Sequence, residues 1–158
     1  LKLVTSNIRR NSPLCLDSKI HHNNLINNIL AKIEANHAKV DDAVMLDLYG
    51  FVAETNATNI FMIKENKVFT PLPDACLPGI TRGLIIDICK RNNIAISEKN
   101  ISVTELYNAD QVFTTGTMGE LAQVDEIDRR KINNKGKLLV KIQKLFKELT
   151  LISGEEIK

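Results

Sequence analysis

Residues 43–70, AVMLDLYGFVAETNATNIFMIKENKVFT, decide the fold class. Apolar and β-branched residues come here in short runs, which read as strands over 43–48, 51–53, 58–64 and 67–70. Tyr49-Gly50 and Lys64–Asn66 read as the turns that separate them. Runs this short and this close favour hairpins over a regular alternation of strand and helix. Upstream, residues 1–8 read as a strand and residues 11–18, with Pro13, as a loop. From Asn23 to His37, Leu25, Ile26, Ile29, Leu30 and Ile33 recur at helical spacing and predict an amphipathic helix. Downstream, the proline-rich loop 71–81 opens a helix over about 81–92 with Leu84, Ile85 and Ile88 on one face. Strands are expected at 94–103 and 110–115. A last helix over about 136–149 is expected to bury Leu138, Leu139, Ile142, Leu145, Phe146 and Leu149. The pattern is that of an α+β, or mixed α/β, domain.

The chain has 158 residues, the length of one domain, 1–158. Its 21 basic and 19 acidic residues leave a net charge of +2, which sets up no global field for nucleic acid or an anionic membrane. No apolar run is long enough to span a bilayer. The lysines at 135, 137, 141, 144 and 147, with Arg129-Arg130-Lys131, read as a solvated face, and aromatic residues for base stacking are scarce. Cys15, Cys76 and Cys89 are odd in number and widely spaced, which suits a reducing, cytoplasmic setting; each reads as a small buried hydrophobe. His21, His22 and His37 do not have metal-ligand spacing, and no metal site is expected. The opening LKLVT lacks the features of a signal peptide, and without a starting methionine it suggests a truncated or processed chain.

Three segments carry the residue types that chemistry needs. In Leu77-Pro78-Gly79-Ile80-Thr81-Arg82 a Pro-Gly turn leads into a helix, whose free N–H groups and dipole favour an anion. The bland reading is a capped helix after a turn. Thr114-Thr115-Gly116-Thr117-Met118-Gly119 ends a strand with small and hydroxylic residues that allow close backbone approach to a ligand. It is neither a Walker loop nor a dinucleotide fingerprint, and an ordinary Gly-rich turn explains it equally well. The third is the pair Lys19 and Glu54. A desolvated lysine amine can attack a carbonyl, and a carboxylate can hold a heterocyclic nitrogen protonated. Composition alone makes both solvated surface residues.

In order, LDSKIHHNNLINNILAKIEAN (16–36), LDLYGFVAETNATNIFMIK (46–64), LPGITRGLIIDICK (77–90) and ADQVFTTGTMGEL (109–121) resemble the fold-type IV pyridoxal-phosphate enzymes. That family includes branched-chain and D-amino-acid aminotransferases and aminodeoxychorismate lyases. EIDRRKINNKGKLLVKIQKLF (126–146) extends the resemblance over nearly the whole chain. The first two stretches are most similar to the branched-chain branch.

The resemblance implies a cofactor, pyridoxal 5′-phosphate, and transfer of an amino group between an amino acid and a 2-oxo acid. By position, Lys19 matches the lysine that binds the cofactor aldehyde and moves protons. Glu54 matches the glutamate facing the pyridine nitrogen. Ile80, Thr81 and Thr117 match the cofactor-phosphate ligands, and Met118 the place where a backbone amide meets the substrate carboxylate. Arg82 follows the phosphate turn with a structural role. Asn24 stands where the family often has a tyrosine, and Glu120-Leu121-Ala122-Gln123-Val124 departs from its Glu-Ile/Leu-Thr-Pro-Val. The resemblance further implies a homodimer and a small N-terminal domain outside this chain, so that the 158 residues form the C-terminal, cofactor-binding domain. D-amino-acid transamination, lyase chemistry, a non-catalytic phosphate- or cofactor-binding module and an inactive truncated fragment remain open.

Overall fold

A computed structural model describes residues 1–153. In chain order the elements are β1 (Lys2–Arg9), α1 (Ile26–Ala38), β2 (Asp42–Leu46), β3 (Val52–Thr55), β4 (Asn59–Lys64), β5 (Lys67–Thr70) and α2 (Ile80–Arg91). There follow β6 (Ile96–Glu98), α3 (Val103–Tyr107), β7 (Gln111–Gly116), β8 (Glu120–Val124), β9 (Glu126–Ile127), β10 (Arg130–Lys131) and α4 (Leu138–Ser153). The strands form two five-stranded mixed sheets, ordered β10-β9-β1-β2-β3 and β6-β5-β4-β7-β8. The chain passes from one sheet to the other at the tight turn between β3 and β4, where Thr55 N–H donates to the Thr58 carbonyl. This is the mixed α+β architecture expected.

Strand alternation sets the layers. In β4, Ile60 and Met62 point into a core shared with Leu3, Val44, Leu46 and Val52 of the first sheet. Phe61 and Ile63 point the other way, against α2 and α4 through Ile85, Ile88, Ile142 and Phe146. In β2, Val44 and Leu46 face the inter-sheet core while Ala43 and Met45 face α1. Both faces of each central strand are therefore covered, which explains the continuous apolar run NIFMI.

Local chemistry explains the hairpins. Glu65 and Asn66 both have positive φ, 50° and 59°, as a two-residue turn matched to strand twist requires. Asp47 Oδ1 accepts from the N–H groups of Tyr49 and Phe51, and Gly50 takes φ +87°. Two segments differ from expectation. Strand β6 is only three residues long, because Ser102 and Glu105 form a reciprocal capping box that starts α3. Residues 120–131 form β8, β9 and β10, whose short pairings leave little periodicity in the sequence.

Helix α1 is inverted relative to its apolar stripe. It packs on the first sheet through small residues, with Ala31 and Ala35 fully buried against Ala43 and Met45. Leu25, Ile26, Ile29, Leu30 and Ile33 lie half-exposed, outside that contact. Close approach of helix and sheet backbones requires the alanines, which outweighs the burial of larger side chains. Helix α4 buries Leu139, Ile142 and Phe146, with Leu138, Leu145 and Leu149 partly buried. Cys76 and Cys89 are buried as expected, but Cys15 is exposed, because its loop packs no core. Among the described residues no helix is long and apolar enough to cross a membrane.

This packing separates two classes of substitution on α1. Ile26→Gln, at 57% exposure, is expected to change the unfolding free energy by less than about 0.5 kcal/mol. Ala35→Leu is expected to overfill the contact and cost about 1–3 kcal/mol. Urea denaturation of both variants checks the orientation of the helix.

Candidate active site

Glu54 sits near the end of β3, and strand irregularity puts it there. In the β2–β3 pairing Leu46 lies opposite Val52 and Met45 opposite Glu54, so β3 holds one extra residue between the two pairs. Regular alternation would send Glu54 to the same side as Val52, into the inter-sheet core. The bulge turns it instead to the Met45 side, under α1. A second irregularity lies in β1, between Thr5 and Arg9, and brings Arg10 alongside.

The carboxylate is buried and held at both oxygens. Arg10 Nη2 lies 3.0 Å from Oε1, with both side chains only 7% exposed. Asn59 Nδ2 and the Leu77 N–H each donate to Oε2 at 3.3 Å. Burial is the larger influence and pushes the Glu54 carboxyl up to about 7, against the lowering by Arg10 and by the Leu77 N–H. Arg10 is itself held from several sides. Its Nη1 donates to Asn27 Oδ1 at 3.0 Å and Asn28 Oδ1 at 2.8 Å, and its Nε to the Ala75 carbonyl at 3.3 Å.

Glu54 and Arg10 line a cavity of about 400 Å³ between α1, the loop before it and the turn at Leu77. Polar walls come from Ser18, His22, Asn28 and Asn56, and apolar walls from Ile20, Leu25, Ile29, Ala57 and Leu77. Ser18 Oγ and His22 Nδ1 are buried with no hydrogen-bond partner among the described residues. Unpaired buried polar atoms are uncommon in folded proteins and favour a site that a polar ligand completes.

The two glycine turns meet at consecutive residues of the chain. A side chain at Gly79 would overlap Asn59 Oδ1, and one at Gly116 would come within 3.0 Å of Thr58 Cγ2. Gly79 is the N-cap of α2 and offers no side-chain cap, so the first N–H groups of the helix stay free for an anion. Thr115 Oγ1, at the end of β7, is buried without a partner among the described residues. Asn59 joins this region to Glu54, because its Nδ2 also donates to the Leu77 carbonyl at 2.8 Å.

The structure thus brings Glu54, the Ile80–Thr81 turn and the Gly116–Thr117 turn to one end of the sheets. Ile80 is exposed at the first position of α2, Thr81 is half-buried, and Thr117 and Met118 are exposed in the β7–β8 turn. Lys19 is not drawn in to the same degree. Its side chain is 44% exposed and Nζ lies 3.7 Å from Asp17 Oδ2, while its neighbours Ser18 and Ile20 line the cavity. Arg82 is pinned by the Pro71 carbonyl and Glu98 at 2.9 and 2.5 Å, as its structural reading expects. The sequence reading missed Arg10, Asn27, Asn28 and Asn59. The Arg9-Arg10 pair closing a strand, and the asparagines beside Glu54, were the available signals. Among the described residues no group of three or more His, Cys, Asp or Glu side chains could hold a metal ion.

Gly79→Ala is expected to displace Asn59 and loosen the turn. The expected cost is about 1–3 kcal/mol, measured by chemical denaturation.

A family model for amino-transferase class IV matches residues 1–127. The chain is 56% identical over 157 residues to branched-chain-amino-acid aminotransferase-like protein 2 of Arabidopsis thaliana, covering 98% of this chain and 28% of that protein. A branched-chain aminotransferase of Thermoproteus uzoniensis, solved with norvaline, superposes with a TM-score of 0.91 at 32% identity, over 98% of this chain and 52% of that one. An aminotransferase from Brucella abortus, solved with the cofactor PLP bound, gives a TM-score of 0.88 at 27% identity, over 94% and 53%. The chain spans about a quarter of the plant relative's length and half of each of these two solved chains. With four motifs in order, the matching fold and this coverage, the chain belongs to the class IV aminotransferase family.

Proposed function

We propose that this chain is the cofactor-binding domain of a pyridoxal-phosphate-dependent aminotransferase that exchanges the amino group of a branched-chain amino acid with a 2-oxo acid. One observation carries the reading. A buried carboxylate on the wall of a ligand-sized cavity is tied through Asn59 to an uncapped helix N-terminus. That arrangement suits a molecule with a basic ring nitrogen at one end and a phosphate at the other. The unpartnered Ser18, His22 and Thr115 atoms in the same region fit a polar ligand, so the residues present suit pyridoxal phosphate.

When bound, this cofactor supplies an electron sink for the electron pair left at the substrate α-carbon. Glu54 holds a proton at the ring nitrogen. The N–H groups of Ile80 and Thr81, with the hydroxyls of Thr81 and Thr117, take the phosphate. The Met118 N–H meets the substrate carboxylate. Lys19, released from Asp17, is the attachment residue and moves the proton to and from the α-carbon. Ile20, Leu25, Ile29 and Leu77 offer apolar contact to a branched side chain. The half-exposed Ile26, Leu30 and Ile33 of α1 support a homodimer. The relatives' greater length supports a further, N-terminal domain that completes the pocket. A cytoplasmic setting is part of the same reading.

The decisive experiment adds pyridoxal phosphate, reduces with borohydride and maps the labelled peptide, on this chain and on a chain extended to the length of its relatives. The expected result is a label on Lys19, lost in Lys19→Ala. A label elsewhere, or none in the extended chain, overturns the reading. In the extended chain, Lys19→Ala is expected to lower turnover of L-leucine by about 10²–10⁴-fold, the range for loss of a positioned acid–base. Turnover of D-alanine in preference to L-leucine would reassign the substrate.

A further inference from the structure

Arg10 lies outside every residue that the functional reading assigns, yet it is the cation closest to Glu54. It reaches the carboxylate from the end of β1, and three further acceptors hold it: Asn27, Asn28 and the Ala75 carbonyl. Asn27 and Asn28 are themselves tied down, since Asn27 Nδ2 donates to the Arg9 carbonyl at 2.7 Å and Asn28 Nδ2 to the Asn56 carbonyl at 2.9 Å. The guanidinium thus has a rigid seat built by α1 and the end of β1. A buried ion pair held this fully is costly to assemble and is seldom the best way to stabilise a core.

We propose that Arg10 is a positioning residue, which opposes the effect of burial on the Glu54 carboxyl and keeps it aimed within the cavity, with Asn27 and Asn28 of α1 fixing the guanidinium. The proposal rests on the reading of Glu54 as the partner of a ring nitrogen. A neutral Glu54 would carry no negative charge to hold a cationic ring, so the state of this carboxyl sets the strength of that contact. Removing Arg10 leaves the carboxylate buried with only two long hydrogen bonds, which favours the protonated form.

The other ionisable groups near Glu54 cannot substitute. Lys32 of α1 is engaged with Asp42 at 2.9 Å. His21 and His22 line the cavity from the loop before α1, and neither is paired with Glu54. The Cys76 thiol, beside the Leu77 turn, is pushed up to about 12 by burial first and then by the Glu54 charge, so it stays neutral. Arg82 of α2 is held by Glu98.

The test follows the Glu54 side-chain carboxyl directly by ¹³C NMR across pH in the ligand-free 158-residue chain, which requires no bound cofactor. In Arg10→Met the titration is expected to move upward by about one to three pH units, the effect of losing an opposite charge in contact. Arg10→Lys keeps a cation and is expected to move it by less. Asn28→Ala, which loosens the seat, is expected to move it upward by a smaller amount and keeps the test open if Arg10→Met does not fold. A Glu54 titration that stays in place in Arg10→Met, or in both milder variants, overturns the proposal. That result would stand even if pyridoxal phosphate labels Lys19. A failed label with a shifted titration would instead overturn only the functional reading.

Discussion

The contact on which the site depends is the ion pair between Arg10 and Glu54, buried between α1 and the first sheet. Removing two charges from water costs several kcal/mol per ion, and attraction offsets this only where the remaining hydrogen-bonding capacity is met. Here the surroundings meet it only in part, and burial still outweighs the contacts made to Glu54. The two asparagines of α1 and the Ala75 carbonyl receive Arg10, while Asn59 and the Leu77 N–H serve Glu54. The bulges in β1 and β3 put both side chains on the α1 face of the sheet. Without them the alternation of the strands would bury Glu54 in the apolar layer between the sheets, where no partner waits.

The same network explains how two distant parts of the sequence become one site. Asn59 opens β4, lies against Gly79 at the start of α2, and donates from Nδ2 to both the Leu77 carbonyl and Glu54, which also accepts from the Leu77 N–H. The helix N-terminus that favours an anion is therefore coupled mechanically to the carboxylate that favours a cation. Lys19 stands apart, on an exposed loop beside Asp17. That loop packs against the cavity through Ser18, Ile20 and His22 rather than through its lysine.

Much of this architecture followed from local pattern. The apolar run in Asn59–Lys64, the turn at Glu65-Asn66 and the stripe of α4 are set by neighbours a few residues apart, so local pattern revealed them. The α1 face, the bulge at Glu54 and the seat of Arg10 depend on contacts across the fold. Ala31 and Ala35 look unremarkable beside Ile29 and Ile33, and only the closeness of helix to sheet makes the alanines the buried side. Arg10, 44 positions before Glu54 in the chain, offered no spacing by which to pair them. The motifs marked Lys19, Glu54, Ile80, Thr81, Thr117 and Met118, whereas the residues that hold Glu54 in place emerged only from the three-dimensional arrangement.

The central claim is that folding holds the Glu54 carboxyl in a buried place against its preference for water. Its folded pKa of about 7 lies above the ordinary carboxylate value, so the folded state binds the extra proton. The stability due to that proton is present below the unfolded value and is lost as pH rises towards 7. The measurement is urea unfolding of the chain and of Glu54→Gln at pH 5 and pH 8. The account predicts that the native chain loses roughly 2 kcal/mol more than Glu54→Gln over this interval. Equal losses in the two proteins would contradict it, and would mean that Glu54 titrates as an ordinary solvated carboxyl.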